Sequence, residues 1–420
     1  MSSSPDIRRL AGWLPDQEGL EAWLADLRER AAAHADRPLH PAVAALRDLL
    51  DREPVLRMHA EQMIEQEPRG REYSSQHLDD VPQLLRLVDE VIRVAPGFDE
   101  GGPVSTPLGA VLDQTMATPA GFAFYRDPRV NAALEEVLGA WCAFLDSPDS
   151  LGTMVDAPSG WMSDAAREAV GIEQFEYDPS AEHWGFTSWN DFFTRRFRDG
   201  VRPVEAPDDD LVVVSACEAT SYGLASDVSA RDRFWVKSQS YSLHDMLAGD
   251  PVVADLEGGT VYQAFLSADN YHRWHSPVAG TVVRAFRVPG TYYSEADAEG
   301  ADAGEPQNSQ GYLAHVATRA VIVIEADSPS IGRLAVVQVG MSDVSSVVLH
   351  PDLTPGHHLA KGDELGHFRF GGSTWCLVLG PGVVRDVTLA AVPLPHDPAA
   401  APVAVRSALF RAHADRRPGH

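Results

Sequence analysis

The feature that constrains this chain most is a change of periodicity near residue 203. Before it, apolar residues recur at helical spacing. "HPAVAALRDLLDREPVLRMHAEQMIEQ" places Val43, Leu46, Leu49 and Leu50 on one helical face. "VPQLLRLVDEVIRV" does the same with Leu84, Leu85, Val88, Val91 and Ile92, and "RVNAALEEVLGAWCAFLDS" repeats the pattern. Stretches such as "APGFDEGGPVSTPLG" punctuate these runs with proline and glycine. After "GVRPVEAPDDD" the texture turns to short β-branched runs between turn residues: "LVVVSACEA", "GTVYQAFLSA", "GTVVRAFRV", "RAVIVIEA", "RLAVVQVGM", "SSVVLH" and "STWCLVLG". Helices followed by strands predict an α+β chain. Its expected parts are a helical domain over 1–180, a β-rich domain over 181–395 and a C-terminal tail over 396–420 that loses strand character.

Composition narrows the class of partner. The formal net charge is −27. A polyanion partner needs a basic patch, so nucleic acid is disfavoured, as is an electrostatic hold on an anionic membrane. No window approaches 18 uninterrupted apolar residues, and the opening "MSSSPDIRRLAGWLPDQEG" lacks an apolar signal core. The cysteines, Cys142, Cys217 and Cys376, are odd in number and widely spaced, which suits neither a disulfide framework nor a zinc knuckle. The expectation is a cytoplasmic protein.

Four constellations carry chemistry. "DNYHRWHSPVAG" sets His272 and His275 three apart, a spacing that can bring two imidazoles to one cavity for proton transfer. A metal pair with His357 and His358 is the competing functional reading, without a convincing third ligand, and a structural role is as plausible. "SACEAT" ends an apolar strand on Glu218, which either orients a histidine or is solvated. "HFRFGGSTWCLVLG" interrupts a strand-like run with Gly371 and Gly372 before Ser373. Trp375 stands where the last glycine of a hydrolase elbow would be, so this is not that motif. Glycine leaves its carbonyl open to attack by the following serine hydroxyl, an N→O acyl shift; the plainer reading is a bulge. "TSWNDFFTRRFRDGVRP" looks like a helix capped by Ser188 with Trp189, Phe192 and Phe193 inward. Its Arg195, Arg196 and Arg198 either clamp an anion or form a solvated face.

Taken in order, "WNDFFTRRFRDGVRPV", "VVVSACEA", "WVKSQSYSLHDMLAGD", "FLSADNYHRWHSPVAG", "VVQVGMSDVSS" and "KGDELGHFRFGGSTWCLVLG" resemble the phosphatidylserine decarboxylase family of pyruvoyl enzymes over roughly residues 185–385. "RPLHPAVAALRDLL", "LDQTMATPAGFAFYRDPRVNAAL" and "SQGYLAHVATRAVIVIEADSPSIG" are similar to a soluble branch with an added helical domain, which includes a fungal L-tryptophan decarboxylase. Two hairpin-like stretches, "SPVAGTVVRAFRVPGTYY" and "GHHLAKGDELGHFRFGG", also resemble the sheets of barrel-sandwich hybrids.

The family resemblance implies self-processing. His275, oriented by an acid, deprotonates Ser373. Ser373 attacks the Gly372 carbonyl, and elimination and hydrolysis leave a covalent pyruvoyl group, with no pyridoxal phosphate. The chain divides between 372 and 373 into α and β pieces that stay associated. The pyruvoyl ketone engages the α-amine of a free amino acid, aromatic on the likeness to that branch, and accepts the electrons left by carbon dioxide. His272, then His275, is the candidate proton donor to the product. Trp274, Phe265 and Trp375 are the candidates for an aromatic pocket, against the alternative of core packing. The family has aspartate in a Pro-x-Asp-Gly setting where Ala216-Cys217-Glu218-Ala219 stands, so Glu218 is the carried-over acid. No metal is implied. The alternatives are phosphatidylserine decarboxylase proper, a non-catalytic carrier or binding module of hybrid-barrel type, and a histidine-based metallohydrolase.

Overall fold

The computed structural model describes residues 17–67, 77–98, 106–116, 118–235, 240–267, 270–296, 309–341, 343, 346–370, 373–394 and 400–414. The chain divides into two compact units. The first comprises Met1–Glu173, Tyr177–Phe193 and Thr291–Ser309; the second comprises Gln174–Glu176, Thr194–Gly290 and Gln310–His420.

The first unit is helical: α1 Gln17–Ala33, α2 Pro41–Arg52, α3 Pro54–Glu65, α4 Val81–Val91, α5 Pro107–Met116, α6 Pro119–Phe124, α7 Pro128–Leu145, α8 Asp164–Val170 and α9 Trp189–Phe193. Proline sits at the start of several of these, where its missing N–H costs nothing. The stretch that reads as one helix from Pro41 breaks at Pro54, which opens α3. Asp80 caps α4 by accepting from Gln83 N–H, and Ser188 accepts from Asp191 N–H at α9. The expected faces are buried: Val43, Leu46 and Leu50 in α2, and Leu84, Leu85, Val88 and Val91 in α4. Segment 291–309 joins this unit through Tyr292 N–H, which donates to Asn131 Oδ1 on α7.

The second unit holds β1 Val212–Val214, β2 Thr220–Val228, α10 Leu243–Met246, α11 Val253–Leu256, β3 Gly259–Leu266, β4 Arg273–His275, β5 Gly280–Val288, α12 Gln310–Val316, β6 Arg319–Ala326, β7 Arg333–Gly340, β8 Val347–Leu349, β9 His358–Leu359, β10 Glu364–Phe368, β11 Ser373–Leu379, β12 Val384–Val387 and β13 Ala408–Ala412. A seven-stranded sheet runs β2-β3-β11-β7-β6-β5-β9, beside three-stranded sheets β4-β10-β8 and β1-β13-β12. All the pairings are antiparallel. The chain is therefore α+β.

Side chains alternate across β11, which lies between β3 and β7. Trp375, Leu377 and Leu379 join Tyr262, Ala264 and Leu266 of β3, and Leu334 and Val336 of β7, in one core. Trp274, Val347, Phe368 and Phe410 from the small sheets fill the same core. On the other face, Thr374 meets Gln263, which also reaches the carbonyl of Gln310 in α12.

Two elements depart from the sequence expectation. The stretch that reads as losing strand character contains β13, which bridges β1 and β12. Its few apolar residues lie between arginines, and only pairing with distant β1 makes it a strand. The second concerns "HFRFGGSTWCLVLG". This is not one interrupted strand: β10 belongs to the sheet with β4 and β8, and β11 to the seven-stranded sheet. The glycine pair Gly371-Gly372 stands between strands of different sheets and lies outside the described residues.

Candidate active site

Ser373 is the first residue of β11 and is 1% exposed. It pairs with Leu266 on one side and Gly340 on the other. Among the described residues its hydroxyl has no hydrogen-bond partner. The next residue is held firmly. Thr374 Oγ1 donates to Ala264 O at 2.9 Å and accepts from Gln263 Nε2 at 3.2 Å. Tyr241 O–H donates to Gln263 Oε1 at 2.7 Å, fixing which way that amide points. Ser373 is thus an untied hydroxyl on an immobilised backbone.

Backbone pairing ties His272 to β10, the strand that precedes Ser373 in the chain. Leu266 ends β3 opposite Ser373, and the chain then passes into β4. Phe368 ends β10 and its N–H donates to His272 O at 2.9 Å, shortly before Ser373 opens β11. His272 is fully buried, with Nδ1 2.9 Å from Asn270 O. His275 lies at the other end of β4, opposite Glu364 at the start of β10. At about 3.3 Å per residue, it is roughly 10 Å further along the strand than His272. Extended backbone through β4 thus sets the two histidines apart along the chain.

Both ring nitrogens of His275 are engaged elsewhere. Nε2 is 3.0 Å from the Tyr271 hydroxyl; Nδ1 is 2.9 Å from Gly362 O and 3.0 Å from Arg406 Nη2. Burial, then the Arg406 charge, lowers its pKa to about 3, so the ring is neutral. Nδ1 either donates to Gly362 O while Nε2 accepts from the Tyr271 hydroxyl, or accepts from Arg406 while Nε2 donates to Tyr271; the tautomer sets which. Glu218 is also committed, and not to His275. Arg202 grips it through Nε at 3.1 and 3.0 Å and Nη2 at 2.6 Å, and Val405 N–H donates to it at 2.9 Å. Ser373, His275 and Glu218 are not joined by hydrogen bonds in the expected line. Glu218 instead pins the segment carrying Arg406, and Arg406 touches His275.

The three aromatic candidates separate for a simple reason. Phe265 pairs with Thr374, so it lies on the opposite face of the sheet from Trp375. Trp375 packs edge-to-face on Tyr262 at 5.5 Å, and Trp274 on Phe368 at 4.8 Å. Both indoles are fully buried and belong to the core, the packing alternative that the sequence leaves open; Phe265 is half-buried. His358 is exposed and pairs with Asp327 at 2.9 Å, and no metal-holding group of three or more His, Cys, Asp or Glu side chains occurs among the described residues.

The arginines after α9 are neither on its helix nor simply solvated. Arg196 bonds Glu364 at 2.7 Å, Arg195 lies 4.4 Å over the Phe175 ring, and Arg198 Nε donates to Phe175 O. A cavity of about 390 Å³ opens beside His275, lined by Arg196, Arg198, Arg202, Tyr271 and Arg406 among others. Arg202 lies in the "WNDFFTRRFRDGVRPV" stretch but is not singled out there, and Arg406 lies outside every quoted family stretch; the meaning of both comes from partners far along the chain.

Comparison with known proteins bears on this arrangement. The family model for phosphatidylserine decarboxylase matches residues 189–391, and a second model of the same description matches 40–170. "Decarboxylase iboD" of Amanita muscaria is 38% identical over 70% of this chain and 92% of its own length. "L-tryptophan decarboxylase" of Psilocybe cubensis is 31% identical over 90% of this chain and 89% of its own. The chain belongs to the phosphatidylserine decarboxylase family. This family member is a decarboxylase, a carboxy-lyase, and its relatives imply a small-molecule substrate. A phosphatidylserine decarboxylase proenzyme of Bacillus mycoides is 29% identical over only 51% of this chain. The family is in general pyruvoyl-dependent, and Ser373 suits such a group: its hydroxyl is untied and buried at the start of a central strand. Among the described residues no helix of this decarboxylase is long and apolar enough to cross a membrane.

Proposed function

We propose that this chain is a self-processing, pyruvoyl-dependent decarboxylase that converts a free aromatic L-amino acid, tryptophan-like, to its amine and carbon dioxide. The observation that carries the processing is the buried Ser373 hydroxyl at the head of β11, which has no hydrogen-bond partner among the described residues. The substrate class is supported by likeness to an L-tryptophan decarboxylase along nearly the whole chain, including the helical region, where likeness to phosphatidylserine decarboxylase proenzymes covers about half.

In processing, Ser373 Oγ adds to the Gly372 carbonyl carbon, the 372–373 amide bond breaks, and the hydroxyl proton passes to the freed nitrogen. Loss of the Ser373 α-proton then expels residue 372 as a carboxylate; water adds, ammonia leaves, and a ketone remains. The pyruvoyl group supplies a carbonyl that engages the substrate amine and accepts the electrons released with carbon dioxide. His272, fully buried and paired through its carbonyl with β10 just before Ser373, is assigned the proton transfers. His275 would have to release both Tyr271 and Gly362 to reach Ser373. The apolar neighbours Leu266 and Trp375 keep water from the site, which favours loss of a charged carboxylate.

The test combines two measurements. Denaturing mass spectrometry should show a blocked C-terminal piece 373–420, and carbon dioxide release should be greatest with aromatic L-amino acids. Ser373→Ala should leave one intact chain and lower turnover at least a thousandfold. An active enzyme that stays uncleaved would sink the mechanism. Activity on phosphatidylserine vesicles but not on free amino acids would overturn the substrate.

A further inference from the structure

Gln338, on β7, lies directly opposite Trp375, and Gly340 lies directly opposite Ser373. Gln338 therefore points to the same face as Ser373 and is its diagonal neighbour, about 7 Å away at the backbone and within reach of a long side chain. It is fully buried beside the core side chains Trp375, Leu377 and Val336. An amide there demands partners. Its Oε1 has one, the Cys217 thiol at 3.6 Å. Burial pushes the Cys217 pKa well up, so the thiol keeps its proton and acts as donor. That choice sets the amide orientation and turns the Nε2 hydrogens away from Cys217. Among the described residues, Nε2 has no acceptor and the Ser373 hydroxyl has no partner. Gly340 contributes no side chain between them.

We propose that Gln338 is a positioning residue for Ser373: its amide, aimed by Cys217, donates to the Ser373 oxygen directly or through one buried water. The hydrogen bond fixes the side from which that oxygen meets the preceding carbonyl. A buried donor also stabilises negative charge on the oxygen as its proton leaves. The inference rests on the self-processing reading above and gives a role to a residue of the "VVQVGMSDVSS" stretch that the sequence does not single out.

The experiment follows cleavage, not turnover, by denaturing mass spectrometry after a cell-free synthesis pulse. Gln338→Met keeps length and approximate volume but removes the donor; its cleavage should be at least tenfold slower than wild type. Gln338→Glu supplies a donor only while its carboxyl is protonated, and burial raises that pKa. Its cleavage should approach wild type at acidic pH and fall at least tenfold, relative to wild type, as pH rises. Equal rates in Gln338→Met and wild type overturn the proposal. So does a Gln338→Glu rate that is reduced equally at every pH, which marks a packing role. Should Gln338→Met fail to fold, the Gln338→Glu profile decides. A wild-type chain that never cleaves refutes self-processing itself and is thereby distinguished from failure of the Gln338 assignment.

Discussion

At the scale of residues, the two histidines of one motif have different surroundings and different consequences. His272 is fully buried and its carbonyl accepts from Phe368 N–H at the end of β10; His275 is a neutral ring between Tyr271, Gly362 and Arg406, with Arg273 and Glu364 nearby. Its pKa falls from an ordinary 6.5 to about 3 on folding. Between those values the unfolded chain binds a proton that the folded chain does not, so stability rises with pH across the window and is complete above it. His275 should therefore destabilise the protein as pH falls from about 6.5 toward 3, by about 1.4 kcal/mol per pH unit. His315 and His367, each lowered by burial to about 4, act in the same direction. Denaturant unfolding at several pH values should show the slope, and His275→Gln should reduce it by about one proton; an unchanged slope contradicts a neutral buried ring. The motif spacing shows two histidines. Which one reaches Ser373 depends on β4 being extended and on partners contributed by residues 362 and 406.

At the scale of elements, β10 shows how one glycine holds a strand in register. Gly366 has φ +147°, and the register between β10 and β4 shifts between Glu364 and Gly366. A methyl group there would meet Val348 O at 2.2 Å and the Trp274 ring at 2.8 Å. Backbone oxygen cannot give way cheaply, so Gly366→Ala should cost about 3 kcal/mol. A thermal melt within a degree or two of wild type would show that the contact relaxes. The strands β3, β6, β7 and β11 are visible as apolar, β-branched runs, since each is buried on both faces, and β5 is visible although it is only partly buried. β2 is not, because "TSYGLASDV" has low intrinsic strand preference and pairs along β3 through two register irregularities. β13 is hidden for the same reason.

At the scale of the whole molecule, the expected cut at 372–373 would separate pieces that share two sheets. The later piece supplies β11, between β3 and β7, and also β12 and β13, with β13 paired to β1. Separating the pieces would expose the cores of both sheets. The two pieces should co-elute under native conditions and part only in denaturant. Free dissociation in native buffer would show that β11 is not held as a central strand.

The sequence by itself determined the class of elements, the family motifs and their order, because periodicity and short motifs are local properties. It showed Ser373, the two histidines and Glu218 as candidates, and it exposed the change of texture near residue 203. The tertiary structure decided how they are used. It put Glu218 on Arg202 and Val405, buried Trp274 and Trp375 in the core, bound both ring nitrogens of His275 to Tyr271, Gly362 and Arg406, and set Gln338 on the face of the sheet that Ser373 shares. Those outcomes follow from strand register and side-chain alternation, which a shift of one residue would reverse and which local sequence does not encode.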